Sequence, residues 1–292
     1  MCDEKTEREN EAWLKKQGAV SRRSFNTLAA GAGAAMMLPF AANAADVSES
    51  DVLVKTPDGE ADCYFAHPSK GKHAAVIIWP DVMGIRPAFR QMGKRLAQAG
   101  YSVLVVNPYY RSVKGVVLKE GESYADPAVR ERLAPYRGSL STETIATDGR
   151  ALVAYLDGQK VVDNKRKIGV TGYCMTGSFA MRIAADLPDR IGAVGSFHGG
   201  GLATDAEDSP HLLIPNMTAS SLIAIAENDD ERDPDAKVTL REAYDAAGLN
   251  AEIEVFEGAM HGWCPLDSRV YNHVQAEHAW SHMLTLFGNA LA

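Results

Sequence analysis

The sequence predicts an α/β fold, a mostly parallel sheet covered by helices on both faces, and three observations carry that reading. Short continuous apolar runs, such as Ala-Val-Ile-Ile-Trp at 75–79, read as strands buried on both sides. Helical segments alternate with these runs at the spacing of βαβ units. The composition is that of a globular protein, with 292 residues, 46% of them hydrophobic and 23% charged. That length has room for one large domain with a full core.

Taken in order, residues 52–55 and 61–66 flank Pro57-Asp58-Gly59 and read as a β-hairpin. The run 75–79 is the first buried strand. A helix can begin at Pro87 and is closed by Gly100, because proline suits the first helical turn and glycine the exit. Residues 102–106 form the next strand. Residues 108–140 are polar with scattered Gly and Pro, and read as an irregular excursion over the surface. A helix over 142–156, a strand over 167–171 and a helix over 176–186 follow. Strands at 193–197 and 221–226, a helix at 235–247 stopped by Gly248, a last strand at 252–256 and a closing helix at 271–291 complete the pattern. In such a sheet the site belongs in the loops at the carboxyl ends of the strands.

The first 45 residues read differently. A charged stretch leads to Ser21-Arg22-Arg23-Ser24-Phe25, then to an Ala/Gly-rich apolar run from Leu28 to Ala42, then to Ala42-Asn43-Ala44. This is the layout of a twin-arginine export signal with its cleavage site, departing from the usual pattern at Asn26, where such signals carry Leu. The expected organisation is therefore a signal over 1–44, a catalytic domain over 45–292 and a periplasmic location. No apolar run in the body of the chain reaches the roughly 18–20 residues that a membrane helix needs. The net charge of -8 and the lack of a basic cluster exclude nucleic acid as a natural partner. Of four cysteines, Cys2 goes with the signal; Cys63, Cys174 and Cys264 remain, an odd number. Free thiols are expected, with a Cys63–Cys264 pair as the alternative.

Three segments carry chemistry. Gly172-Tyr173-Cys174-Met175-Thr176-Gly177 follows a strand and opens a helix, the G-x-S-x-G elbow with Cys in the Ser place. A side chain at 172 or 177 would clash with neighbouring backbone, so the glycines permit a turn that lifts Cys174 to a helix N-terminus. That end favours a thiolate, and the Met175 N–H points where an oxyanion would form. His261, in Gly258-Ala259-Met260-His261-Gly262-Trp263 after the last strand, stands where this fold presents its base. A lone histidine is more often structural, so position decides. Glu227-Asn228-Asp229-Asp230-Glu231 follows the penultimate strand and supplies an acid in the order nucleophile, acid, base. Asp229 fits that register, with Asp230 the fallback.

At these residues the chain resembles the dienelactone hydrolase family. Further matches are Asp81-Val82-Met83-Gly84 and Asn107-Pro108-Tyr109-Tyr110-Arg111. The resemblance spans about 50–290 and implies an eight-stranded α/β-hydrolase domain that opens enol lactones. It also implies Val82 N–H as second oxyanion donor beside Met175. Asp81 would be the acid that helps activate Cys174, in the place where the family usually has Glu, and Arg111 a carboxylate anchor. A second anchoring arginine is replaced by Pro265, with Arg86 or Lys114 as substitutes. Tyr110, His198 and Trp263 would line the substrate pocket, and Trp79 and Tyr109 could join its wall.

His278 and His282, four apart on the closing helix, could share a metal on one face, but no third ligand stands at a persuasive spacing. Packing or solvent contact is the expected role. No glycine-rich phosphate loop exists, so no cofactor is expected. A Cys elbow also occurs in class I glutamine amidotransferases, but there the base is followed by x-Glu, and here Gly262-Trp263 follows His261. The sequence therefore predicts a monomeric Cys–His–Asp hydrolase of a small lactone or ester. A broad carboxylesterase of the same chemistry, and a binding protein that keeps the fold, are the alternatives.

Overall fold

The computed structural model describes residues 4–16, 45–119 and 121–292. The paired arginines, the apolar run after them and the cleavage site lie outside those residues.

Strands β1 (Val47–Thr56) and β2 (Gly59–Pro68) pair antiparallel, with Thr56 opposite Gly59 across the turn. Gly59 takes φ of +136°, a conformation open to glycine. Next come β3 (Ala75–Trp79), α2 (Pro87–Gln98) and β4 (Ser102–Val106); α1 (Glu4–Lys16) precedes them all. α3 (Pro127–Gly138), α4 (Thr142–Asp157), β5 (Ile168–Tyr173), α5 (Gly177–Asp186) and β6 (Ile191–Phe197) follow. β7 (Ser220–Ala226), α6 (Glu227–Arg232), α7 (Ala236–Ala247), β8 (Ala251–Phe256) and α8 (His273–Ala290) close the chain.

The eight strands form one sheet in the order β1-β2-β4-β3-β5-β6-β7-β8, parallel from β4 through β8. Strand alternation divides the core in two. Ala75, Ile77 and Trp79 face one layer with Leu152 and Leu156 of α4 and Phe179 and Ile183 of α5. Val76 and Ile78 face the other, with Phe89 and Leu96 of α2 and Trp280, Met283 and Phe287 of α8. Because both faces are covered, β3 to β6 are buried throughout and read as unbroken apolar runs.

One expectation is corrected. Residues 108–140 are not irregular throughout, because α3 lies inside them. Asp126 caps it by accepting from the Ala128 N–H (2.9 Å), and Pro127 opens it. Only Val129 and Leu133 are buried, one turn apart, and Pro135 sits within the helix, so the apolar period is too thin to read.

Candidate active site

The ends of β5, β6, β7 and β8 bring the candidate residues together. Gly172 and Gly177 are required by close approach: a Cβ on Gly172 would stand 1.9 Å from the Thr176 carbonyl oxygen, and one on Gly177 would stand 2.6 Å from Gly199 Cα. Between them Cys174 is buried and takes φ of 58°. Such a backbone costs a side-chain-bearing residue on the order of 1–3 kcal/mol and persists only where its surroundings hold it. The holder is Thr176, which sequence reasoning passed over. Its hydroxyl accepts from the Tyr173 N–H (2.8 Å) and lies 2.8 Å from the carbonyl oxygen of Trp79. That hydroxyl ties the elbow to the end of β3, where the Asp81-Val82 segment begins. Tyr109 adds a second tie, its hydroxyl donating to the Val82 carbonyl (2.7 Å) with the Met175 sulfur 3.6 Å away.

β8 leads into the loop that carries His261, and β7 leads into α6, which carries Asp229. The two meet at 2.6 Å between His261 Nδ1 and Asp229 Oδ2. Asp230 turns instead to Lys237, at 2.6 Å. Asn228, beside Asp229, accepts from the His261 N–H through its side chain (2.8 Å), so α6 holds both the ring and the backbone of His261. Burial disfavours charge on His261, but the Asp229 carboxylate and the Cys174 sulfur outweigh it and raise its pKa to about 10. Burial likewise opposes the charge on Asp229, yet His261 holds its pKa below the ordinary value.

His198 is also at the nucleophile. It is buried, takes φ of 41°, and its ring centroid lies 5.0 Å from that of His261. Burial lowers its pKa, against a hydrogen bond to Cys174 that favours the charged form, so the sulfur meets one imidazole biased toward charge and one biased against it. The other described thiols, Cys63 and Cys264, are free and buried, and burial raises their pKa values, which leaves them unreactive.

α1 lies across these loops. Asn10 donates to the His261 carbonyl (3.2 Å), Glu9 accepts from Asn228 (3.0 Å) and pairs with Arg232, and Glu7 faces Arg269 (3.7 Å). Thr6 and Asn10 are buried by the contact.

A sequence model of the dienelactone hydrolase family matches residues 61–291. The chain belongs to that family. A putative carboxymethylenebutenolidase of Synechocystis is 25% identical over 84% of this chain and 98% of its own. A carboxymethylenebutenolidase of Rhodococcus opacus is 23% identical over 72% of this chain and 78% of its own. The crystal structure of a putative dienelactone hydrolase from Klebsiella pneumoniae superposes with a TM-score of 0.72 at 21% identity, covering 84% of this chain and 99% of that one. The sheet is thus that of the α/β hydrolases, and the chain is a carboxylic ester hydrolase of the dienelactone hydrolase family, acting on lactone or ester bonds.

Several residues given roles by resemblance to the dienelactone hydrolases have further partners here. Asp81 is buried with both oxygens bound to Arg86 (2.7 and 2.9 Å) and one also to the Met83 N–H (2.9 Å). Arg86 in turn holds Asp267 at 2.7 Å. Asp81 thus fixes its own loop while staying within electrostatic reach of the Cys174 sulfur, and Arg86 is not left to grip a substrate. Lys114 turns to Glu60 and Asp62. Arg111 is shared between Asp148 (2.7 Å) and Asp58 (2.6 Å), and Tyr110 donates to Asp148 at 2.6 Å. With two carboxylates already on its guanidinium, Arg111 is a tie between α4 and the first hairpin, not a free anchor. Trp263 is fully buried, stacked on Phe256 (5.3 Å) and edge-on to His198 (5.1 Å), so it braces the histidines from behind. Trp79 is core, against Phe179.

The Asp229–His261 contact sets a pH dependence. Because the folded pKa of His261 is raised above the ~6.5 of an unfolded histidine, its contribution to stability is complete below that pH. It is lost as pH rises toward about 10. Asp229→Asn is expected to cut kcat by a factor on the order of 10³–10⁴. It is also expected to move the alkaline limb of kcat/KM to lower pH. An unmoved limb in the pH–rate profile would show that Asp229 does not govern His261.

Proposed function

We propose that this chain opens an enol lactone, or cleaves a related ester, through a Cys174–His261–Asp229 triad and a thioester acyl-enzyme. The observation that carries the reading is the 2.6 Å Asp229–His261 contact beside a cysteine held at φ 58° on a glycine elbow. His261 takes the thiol proton, and Asp229 fixes its tautomer and stabilises the imidazolium. The thiolate attacks the carbonyl carbon. The oxyanion is received by the N–H groups of Val82 and Met175, each worth about 3–4 kcal/mol of barrier in comparable enzymes. The ring C–O bond breaks, and the leaving enolate accepts the proton from His261. Water then gives its proton to His261 and attacks the thioester, releasing the acid and the thiolate. An enolate leaves readily, which suits a thiol nucleophile.

One observation favours a wider substrate range within this chemistry. Arg111 is neutralised by Asp58 and Asp148, and Arg86 by Asp81 and Asp267. Esters lacking a carboxylate then lose little by comparison with dienelactone. Turnover of p-nitrophenyl acetate and of a dienelactone by the chain from residue 45 tests the reading, before and after iodoacetamide. Activity on both that alkylation abolishes is expected; failure on every ester and lactone would overturn it.

The twin-arginine layout at 21–25 supports export, with release of the chain from residue 45. Replacing Arg22 and Arg23 with lysine is expected to hold the protein in the cytoplasm, and unchanged fractionation would refute that.

A further inference from the structure

The two histidines of the closing helix acquire partners from a different element. β8 is the edge strand of the sheet, and its residues 252, 254 and 256 share the face on which α8 packs. Phe256 continues the core there, with the His278 ring 5.3 Å from its own. One and two positions earlier on that face stand Glu254 and Glu252. The helix runs antiparallel to the strand, so its next turn places His282 over these two acids. His278 and His282 lie with ring centroids 4.3 Å apart and nearly perpendicular. His278 Nδ1 is 3.8 Å from one oxygen of Glu254, and His282 Nδ1 is 3.6 Å from the other. His282 also pairs with Glu252. The candidate ligand atoms of Glu254, His278 and His282 all fall within 4.8 Å of one another.

One of these spacings, 3.6 Å, falls within a coordination sphere, and the 3.8 Å one lies just outside it. Around a tetrahedral zinc with bonds of about 2.0–2.2 Å, ligand atoms stand roughly 3.3–3.6 Å apart. Small side-chain rotations would bring the three groups to that separation, with Glu252 within reach as a fourth. The donor set of imidazole and carboxylate suits zinc, nickel or copper and is poorly matched to calcium, which takes oxygens. Two neighbouring carboxylates also supply the charge that a divalent cation would balance. The side chains are between 27% and 47% exposed, so an ion and a water ligand can reach them from solvent.

We propose that Glu254, His278 and His282, with Glu252 beside them, form a binding site for a divalent transition-metal ion. It lies outside the Cys174 site and does not depend on the proposed reaction. A bound ion would staple α8 to β8, the strand that leads directly into the His261 loop, and so stabilise the frame of that loop rather than supply chemistry.

Zinc titration by calorimetry tests this on chelator-treated Cys174→Ala protein, in which the active-site thiol cannot compete. One equivalent is expected to bind, with a rise in unfolding temperature. Cobalt is expected to give the visible absorption of a low-coordinate nitrogen and oxygen site. His278→Gln/His282→Gln and Glu254→Gln alter exposed or half-exposed side chains. Each is expected to weaken binding more than about tenfold and to abolish the thermal shift. Absence of saturable binding would overturn the proposal. So would equal binding by parent and variants, which would place the ion elsewhere on the chain.

Discussion

Replacing Cys174 with alanine is expected to lower ester turnover by a factor on the order of 10⁴ or more, with little change in unfolding temperature. The loss follows from chemistry, because Cys63 and Cys264 are buried with raised pKa values and no other described thiol can take over. The small stability effect follows from geometry. Alanine keeps the Cβ, so the left-handed backbone at φ 58° is no more strained than before, and only a sulfur is removed from the site. A collapse in stability would mean that the sulfur is a packing element. Retained turnover, measured with the chain from residue 45, would mean that another group attacks.

The second large effect is expected from the N-terminus. α1 contributes Thr6, Glu7, Glu9 and Asn10 to contacts with Arg232, Arg269, Asn228 and the His261 backbone. Asn228 and Arg232 belong to the helix that carries Asp229. Glu7 is partly withdrawn from water, which raises its pKa, and it feels both His261 and Cys174. We expect a helix held this way to compete with a substrate that approaches from that side, and the competent fraction then scales the apparent rate. The chain beginning at Ala45 is therefore expected to exceed the full-length chain in kcat/KM by roughly tenfold or more, the free energy of one or two hydrogen bonds to charged groups. Equal values for the two forms would show that α1 does not restrict the site. If export proceeds as proposed, removal of the signal and opening of the site are one event.

The fold was legible because its strands are buried on both faces: Ala75–Trp79 and Ser102–Val106 leave no polar side to mislead. α3 was hidden because only two of its residues reach the core. At the site, the structure brings together Cys174, His261 and Asp229, which glycine spacing, chain order and register single out. What separates Asp229 from Asp230 in the structure is that the first pairs with His261 and the second with Lys237, seven residues on, which no pattern announces. Thr176 and Asn228 could have been suspected, since each adjoins a residue already singled out, but their hydrogen bonds to backbone are visible only in three dimensions. The roles transferred to Asp81 and Arg111 meet neighbours that the sequence pattern does not announce. Sequence shows a charge but not the opposite charges that occupy it, here Arg86, Asp148 and Asp58. The same limit concealed Glu254, which reaches His278 and His282 from another element.

The central claim is a covalent intermediate on Cys174. The chain from residue 45 can be mixed with a slowly hydrolysed p-nitrophenyl ester, quenched in acid and measured by intact mass and peptide mapping. One acyl group per chain is expected, on the peptide containing Cys174, formed with a stoichiometric burst of p-nitrophenol and removed by hydroxylamine as a thioester. Steady turnover with no acylated species, or an acyl group on any other residue, would contradict the account.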